Sequence, residues 1–120
     1  MKDHPRLPES ELDIMLVIWD LGNQAAAPAI LERLERPLTA SALHSYLKRL
    51  EDKGYLTCTK EGKTNRYTPL VSREEYQRRE GKTILGKLYK GSLKRFAAAL
   101  HDGGALDKSD VEELEGKEGQ

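Results

Sequence analysis

Hydrophobic positions in the first part of the chain repeat with the period of an α-helix. The predicted first helix carries an apolar face at intervals of three and four residues, formed by Leu12, Met15, Leu16 and Trp19 and widened by Ile14 and Ile18. Ser10, with Asp13 three residues later, predicts the N-terminal cap, and Gly22 predicts the end. We therefore expect a helix that is buried on more than one side.

Two more helical segments follow. The second is predicted over Ala27–Leu34, with Pro28 in the first turn, where a missing N–H costs nothing. The third is predicted to begin at Thr39, a good capping residue, and to run to Lys53 before Gly54. Its apolar stripe consists of Leu43, Tyr46, Leu47 and Leu50. This stripe should seat the third helix on the core.

The hydrophobic period then changes from 3.6 to 2. Tyr55–Lys60 and Asn65–Leu70 are predicted strands, with the tip of a hairpin at Glu61–Thr64. Pro69 lacks a backbone N–H, so we expect its strand at the edge of the sheet. Three helices followed by a hairpin predict a mostly α fold with a β-hairpin, a winged helix-turn-helix DNA-binding domain.

Helical patterns return after the hairpin. Ser72 and Glu75 predict a capped helix that extends to about Tyr89. Another helix follows Gly91-Ser92 and ends at Gly103-Gly104, and a short last helix is expected near Ser109–Leu114, with Val111 and Leu114 on one face. We predict a winged-helix domain over residues 7–71, a helical region over 72–115, and flexible tails at 1–6 and 116–120.

Composition limits the class of protein. The 120 residues are 38% hydrophobic and 33% charged, which suits one modest core, and the formal net charge is zero. The charge is unevenly distributed: residues 37–71 carry +3 and residues 72–101 carry +5, whereas 102–120 carry −5. The sequence has neither an apolar run long enough to span a membrane nor the apolar core of a secretory signal. We expect a cytoplasmic protein that does not insert into a membrane.

The third predicted helix carries a second stripe opposite its apolar one. It is polar, and small residues stand at its amino-terminal end, a combination that lets a helix enter the major groove and contact base edges. The hairpin adds basic and amide side chains suited to phosphates. The predicted DNA-binding residues are Thr39, Ser41, Ala42, His44, Ser45, Lys48, Lys60, Lys63, Asn65 and Arg66. The alternative is a winged helix that contacts proteins and does not bind DNA.

Other kinds of site find little support. Cys58 alternates with Leu56 along a predicted strand, so we interpret it as a half-buried apolar residue, with a redox sensor as the alternative. His4, His44 and His101 lie in different elements and not at metal-ligand spacing. We predict no metal, no cofactor and no enzymatic activity.

Five stretches in order resemble the BlaI/MecI-type penicillinase repressors, a family that includes the CopY-type copper-responsive repressors. They are Pro8–Met15 with Ile18-Trp19, Leu47–Leu56, Tyr67–Tyr76, Gly91–Lys94 and Asp110–Leu114. The resemblance spans about residues 7–115. It implies a homodimeric repressor whose winged helix binds operator dyads in double-stranded DNA and whose carboxy-terminal helices hold the dimer together.

The apolar faces of the carboxy-terminal helices are the predicted dimerisation surface, since a tail of this size has too little core of its own. This surface consists of Leu85, Leu88, Tyr89, Leu93, Phe96, Ala97 and Leu100.

The sequence also departs from the family pattern. Ala42 stands where these repressors usually carry Thr, and His44 and Tyr46 are unusual, so the operator need not belong to a β-lactamase gene. Ala26 stands where the second helix usually has a Thr cap. The CopY-type cysteine cluster is missing after Cys58, which argues against thiolate metal sensing.

The resemblance further implies inactivation by a membrane sensor-protease system that leads to cleavage in the dimerisation helices. The matching residues, Ala98–His101, lack the pattern expected for that cleavage. Proteolysis and ligand binding both stay open as inducing events.

Overall fold

A computed structural model describes residues 5–22, 24–110 and 112–113 of the chain. The chain forms two compact units, which divide between Gln77 and Arg78. The elements in chain order are α1 Glu9–Leu21, β1 Ala25–Ala26, α2 Ala27–Arg33, α3 Ala40–Asp52, β2 Leu56–Glu61, β3 Thr64–Pro69, α4 Arg73–Leu88 and α5 Leu93–Asp102. Three helices followed by a β-hairpin confirm the predicted winged-helix fold class.

The core of the first unit lies between α1, α2, α3 and one face of the sheet. Its fully buried members include Ile14, Met15 and Ile18 of α1, Ile30 of α2, and Leu43, Leu47 and Leu50 of α3. Burial of each such side chain stabilises the fold by about 1.5–3 kcal/mol. The predicted apolar face of α1 was partly wrong, because Leu16 is 40% exposed, while Glu11, which was not predicted to be buried, is only 3% exposed.

The start of α1 also differs from the prediction. The N-cap is Pro8, with φ −59° and ψ 156°, and its carbonyl accepts a hydrogen bond from the Leu12 N–H at 2.9 Å. Proline fixes φ near the helical value, so the chain enters the helix directly after Pro8. Ser10 therefore lies inside the first turn and is not the cap.

The sheet has three strands in the order β1-β3-β2, all antiparallel. The prediction missed β1 and wrongly placed the Pro69 strand at the edge. β1 has only two residues and pairs with Arg66 and Tyr67, so it ends before it reaches Pro69. A proline is tolerated in this central strand because its missing N–H lies beyond the pairing with β1.

Serine caps begin both carboxy-terminal helices. The Ser72 hydroxyl accepts from the Glu75 N–H at 3.0 Å, and the Ser92 hydroxyl accepts from the Arg95 N–H at 3.1 Å, as the sequence predicted for Ser72. Gly91, at φ 83°, separates the two helices, and Gly104, at φ 84°, follows α5.

The last predicted helix is partly described. Residues 108–110 and 112–113 are helical, so this helix begins one residue ahead of Ser109. Its cap is reciprocal, because the Asp107 and Asp110 carboxylates each accept from the other residue's N–H, at 2.8 and 3.1 Å. Val111 and Leu114 lie outside the described residues, as do the predicted tails except residues 5 and 6.

Candidate nucleic-acid interface

Helix α3 is fixed at both ends. At its start the Thr39 hydroxyl accepts from the Ala42 N–H at 3.0 Å, which satisfies an otherwise unpaired backbone donor. At its end Lys53 donates to the Glu11 carboxylate at 2.5 Å, and Glu11 is only 3% exposed. This partly buried ion pair connects the end of α3 to the first turn of α1 and so contributes to the orientation of α3, whereas the Thr39 cap stabilises the start of the helix locally.

The outward face of α3 is polar and accessible. Ser41, His44, Ser45 and Lys48 are all exposed, and they lie opposite the buried stripe. Ala42 is half-buried, so it offers less surface than its neighbours. A polar face of this kind, with alanine and serine at its start, can enter a major groove and place hydrogen-bonding groups at base edges.

Two of these polar groups already have intrahelical partners. The Ser45 hydroxyl donates to the Ser41 carbonyl at 3.3 Å, and the Lys48 ammonium lies 3.5 Å from the Asp52 carboxylate. The Lys48 and Asp52 side chains are 71% and 64% exposed, and such an exposed pair is worth little in water. Both groups can exchange these partners for a base or a phosphate at low cost.

The hairpin divides its predicted DNA-binding residues between its two faces. Lys60 pairs with Asn65 across the strands, so these two share a face, whereas Arg66 pairs with Thr59 and lies on the other. Lys63 stands in the two-residue turn, after Gly62, which takes φ 64°. Lys60, Lys63 and Asn65 are exposed. The four predicted residues therefore do not form a single surface.

Arg66 and Asn65 also contact the hairpin itself. The Arg66 Nε lies 3.9 Å from the Glu61 carboxylate and is buried without a hydrogen-bond partner. Burial raises the pKa of the Tyr67 hydroxyl, the neighbouring Cys58 raises it further, and a hydrogen bond with Asn65 opposes these effects. Cys58 is half-buried and packs against the core, as predicted. Lys60 and Lys63 are thus the more available cations of the hairpin.

Sequence reasoning missed one cation on α3. Arg49 is exposed, and its guanidinium lies 5.5 Å from the centre of the Tyr46 ring. Residues three apart on a helix are neighbours, so the spacing of Tyr46 and Arg49 was the signal that could have revealed the contact. Tyr46, a member of the predicted apolar stripe, is half-buried.

A family profile described as "Penicillinase repressor" matches residues 7–117. The chain belongs to the penicillinase repressor family. This confirms the resemblance inferred from the five sequence stretches. The match covers both units.

Individual relatives agree with this assignment. A penicillinase repressor of Bacillus licheniformis is 28% identical over 95% of this chain and 90% of its own length. A methicillin resistance regulatory protein MecI of Staphylococcus aureus is 24% identical over 90% of this chain and 89% of its own.

Two solved structures are similar to part of this chain. The DNA-binding domain of the repressor BlaI is 29% identical, with a TM-score of 0.54, and the match covers 63% of this chain and 94% of that one. Monomeric BlaI of Bacillus licheniformis in complex with the blaP half-operator is similar over the same shares, with a TM-score of 0.53 and 29% identity.

The first unit also contains a cleft whose lining includes none of the predicted DNA-binding residues. It has a volume of about 520 Å³ and lies between α1 and the segment that joins α2 to α3. Its lining mixes apolar side chains with carboxylates and two arginines, and Tyr46 borders it. One carboxylate, Asp20, is paired with Arg73.

Within residues 5–22, 24–110 and 112–113, no group of three or more His, Cys, Asp or Glu side chains could hold a metal ion. None of the helices in the same ranges is long and apolar enough to cross a membrane.

Of the predicted dimerisation residues, four lie on α5, two lie on α4, and Tyr89 directly follows α4. On α5, Ala97 is buried, and Leu93, Phe96 and Leu100 are half-buried. The rings of Tyr89 and Phe96 are 5.0 Å apart. On α4, Leu85 is half-buried, whereas Leu88 is 72% exposed. Their role in a dimer stays a prediction.

Proposed function

We propose that this protein is a transcriptional repressor that binds palindromic operator DNA as a homodimer. The observation that carries the proposal is the exposed polar face of α3, which lies opposite the buried side chains of Leu43, Leu47 and Leu50. Membership in the penicillinase repressor family supports it, as does the similarity to BlaI, which was solved with a half-operator.

The alternative, a winged helix used only for protein contacts, is less well supported. A protein interface needs neither small residues at the start of α3 nor exposed lysines on the hairpin. BlaI, whose structure is similar to this chain, was solved in complex with a half-operator. The family and this neighbour therefore favour DNA binding over protein contact alone.

In the proposed interface α3 recognises sequence and the hairpin contacts the backbone. Ser41, His44, Ser45 and Lys48 are the proposed base-facing residues, flanked by Thr39 and Ala42. The main proposed phosphate contacts are Lys60 and Lys63. Asn65 and Arg66 are proposed as additional phosphate contacts. Phosphate contacts position a protein on DNA without discriminating between sequences, whereas contacts to base edges do discriminate.

Variants can separate these two roles. The bound fragments are first selected from genomic DNA, and affinities are then measured on the selected duplex and on a scrambled one. His44→Ala should change the sequence preferred, whereas Lys63→Gln should weaken both duplexes alike and lower the slope of log affinity against log salt by about 0.9. Lys94→Gln, an exposed lysine of α5, is the charge-matched control. Two variants with unchanged affinity and preference would mean that α3 and the hairpin do not form the interface.

The proposed homodimer uses the apolar faces of α4 and α5. Phe96→Ala should weaken the dimer, since loss of a buried phenylalanine costs about 3–5 kcal/mol. Light scattering at micromolar concentration measures this, with Lys94→Gln as the control. A parent protein that is strictly monomeric at that concentration would contradict the proposed dimer. A homodimer on palindromic DNA should place its two α3 helices about 34 Å apart, or a multiple of that distance, to match successive major grooves.

The proposal extends to location and induction. A repressor acts where the genome is, so we place it in the cytoplasm. The sensor-protease system implied by the family resemblance is a proposed partner, and Ala98 and Ala99 of the matching segment are exposed on α5. Immunoblots of the host before and after induction test this, because a shortened chain supports proteolysis and an intact chain on a derepressed operator points to a ligand.

A further inference from the structure

The recognition helix carries two adjacent cations in different environments. The Lys48 ammonium has an anionic neighbour, Asp52, at 3.5 Å on the same helix. Arg49 has no ion pair among the described residues and lies instead against the Tyr46 ring, 5.5 Å from its centre. A guanidinium stacked on an aromatic face is attracted by the ring and gives up rotamer freedom before any ligand arrives. Arg49 is therefore the cation of α3 that is already ordered and lacks a carboxylate to displace.

The position of Arg49 on α3 determines what it can contact. It lies one turn after Ser45, on the flank of the exposed face that also holds the half-buried Ala42 and Tyr46. In the proposed interface the middle of that face lies towards the floor of the major groove, which places its flanks towards the groove walls, where the phosphates are. A guanidinium presents a planar set of donors that matches phosphate oxygens in bidentate geometry.

We infer that Arg49 is a phosphate-contacting residue of α3 and that Tyr46 is its positioning residue. This inference rests on the proposed function and adds a contact that the sequence did not predict. Arg49 supplies affinity for any duplex, and Tyr46 acts through Arg49 by holding the guanidinium at the flank of the helix. The α3 contacts then comprise base-facing residues in the centre and one ordered arginine at the side.

The first test measures the charge of Arg49. Four proteins are titrated on a selected duplex and a scrambled duplex over 50–200 mM salt: the parent, Arg49→Gln, Arg49→Lys and the control Lys94→Gln. Arg49→Gln should bind both duplexes more weakly, with the slope of log affinity against log salt smaller by about 0.9, and Arg49→Lys should keep the parent slope. An Arg49→Gln slope equal to that of the parent would overturn the inference.

The second test measures the role of Tyr46. Tyr46→Phe keeps the ring and should match the parent, whereas Tyr46→Leu should lose about two- to fivefold in affinity, the strength of an exposed cation–π contact. In the Arg49→Gln background, Tyr46→Leu should cause no further loss, because the group that it positions is gone. Equal losses in both backgrounds would show that Tyr46 only supports the fold, and would overturn its role.

Failure of this inference can be told apart from failure of the proposed function. If the parent binds selected DNA and the Arg49 variants leave its salt slope unchanged, only the Arg49 assignment is overturned. If the parent itself prefers no duplex, the proposed repressor function fails. Urea denaturation monitored by Trp19 fluorescence verifies that each variant is folded, since Trp19 packs against Tyr76 and donates to the Val71 carbonyl in the same unit.

Discussion

The ion pair between Glu11 and Lys53 should stabilise the first unit far more than the exposed pair between Lys48 and Asp52. Both pairs join a lysine of the α3 region to a carboxylate, but their environments differ. The Glu11 and Lys53 side chains are 5% and 28% exposed, against 64% for Asp52 and 71% for Lys48. Lys53→Met and Lys48→Met are therefore matched substitutions in a buried and an exposed setting.

The two substitutions should differ in cost. Breaking a buried pair leaves an uncompensated charge and costs about 3–5 kcal/mol. Lys53 is partly accessible, and water can replace part of the lost contact, so we expect about 2 kcal/mol for Lys53→Met. An exposed helical pair is worth about 0.3–0.5 kcal/mol, which is the expected cost of Lys48→Met. The free energies of unfolding should therefore differ by about 1.5 kcal/mol.

Urea denaturation followed by Trp19 fluorescence measures both free energies in the unit that contains the pairs. Glu11→Leu in the Lys53→Met background should recover stability, because it removes the carboxylate that the first change left unpaired. Equal costs for Lys48→Met and Lys53→Met would show that the buried ion pair stabilises the unit no more than the exposed one. The same conclusion would follow if the double variant were less stable than Lys53→Met by the full cost of Glu11→Leu alone. The second result would mean that the two residues do not interact.

Three further predictions concern the cap of α3, the sheet and the glycines. Thr39→Ala should lower the free energy of unfolding by about 1 kcal/mol because an N-cap acceptor is lost, and Thr39→Ser should restore most of it in the same denaturation assay. The pKa of Tyr67 is raised by burial and by Cys58, so its contribution to stability should be complete below pH 10 and lost as the pH rises through the folded-state pKa. Tyr67→Phe should accordingly lose less stability between pH 9 and 11 than the parent in paired urea titrations, and equal losses would contradict this. Gly62→Ala should lower the free energy of unfolding by about 1 kcal/mol because Gly62 takes φ 64°. Gly86 lies in the interior of α4 with open space around it, so Gly86→Ala should raise the free energy of unfolding by about 0.5–1 kcal/mol. Thermal melts in which Gly62→Ala is the more stable of the two variants would exclude this explanation.

Elements with strong local signals were predictable from the sequence. The Thr39 and Ser72 caps, the Gly54 and Gly62 turns and the buried stripe of α3 depend on neighbouring residues, so the pattern alone determined them. The exposed polar stripe of α3 followed from the same periodicity. These local features were sufficient to predict the winged-helix fold.

Features that depend on distant partners were not predictable in the same way. β1 consists of two alanines and becomes a strand only because β3 lies beside it. Glu11 resembles an ordinary acidic residue of a first helical turn, and its burial depends on Lys53, 42 residues away. The two faces of the hairpin, which separate Arg66 from Lys60, follow from a register that the composition of the strands does not reveal.

One titration tests most directly whether a dimer binds operator DNA through α3 and the hairpin. Fluorescence anisotropy of a duplex selected from genomic DNA, with its scrambled counterpart in parallel, gives affinity, stoichiometry and salt dependence together. We expect two chains per selected duplex, an affinity at least about 10³ times that for the scrambled duplex, and a steep fall in affinity between 50 and 200 mM salt. Equal affinity for both duplexes, or binding that does not change with salt, would contradict it.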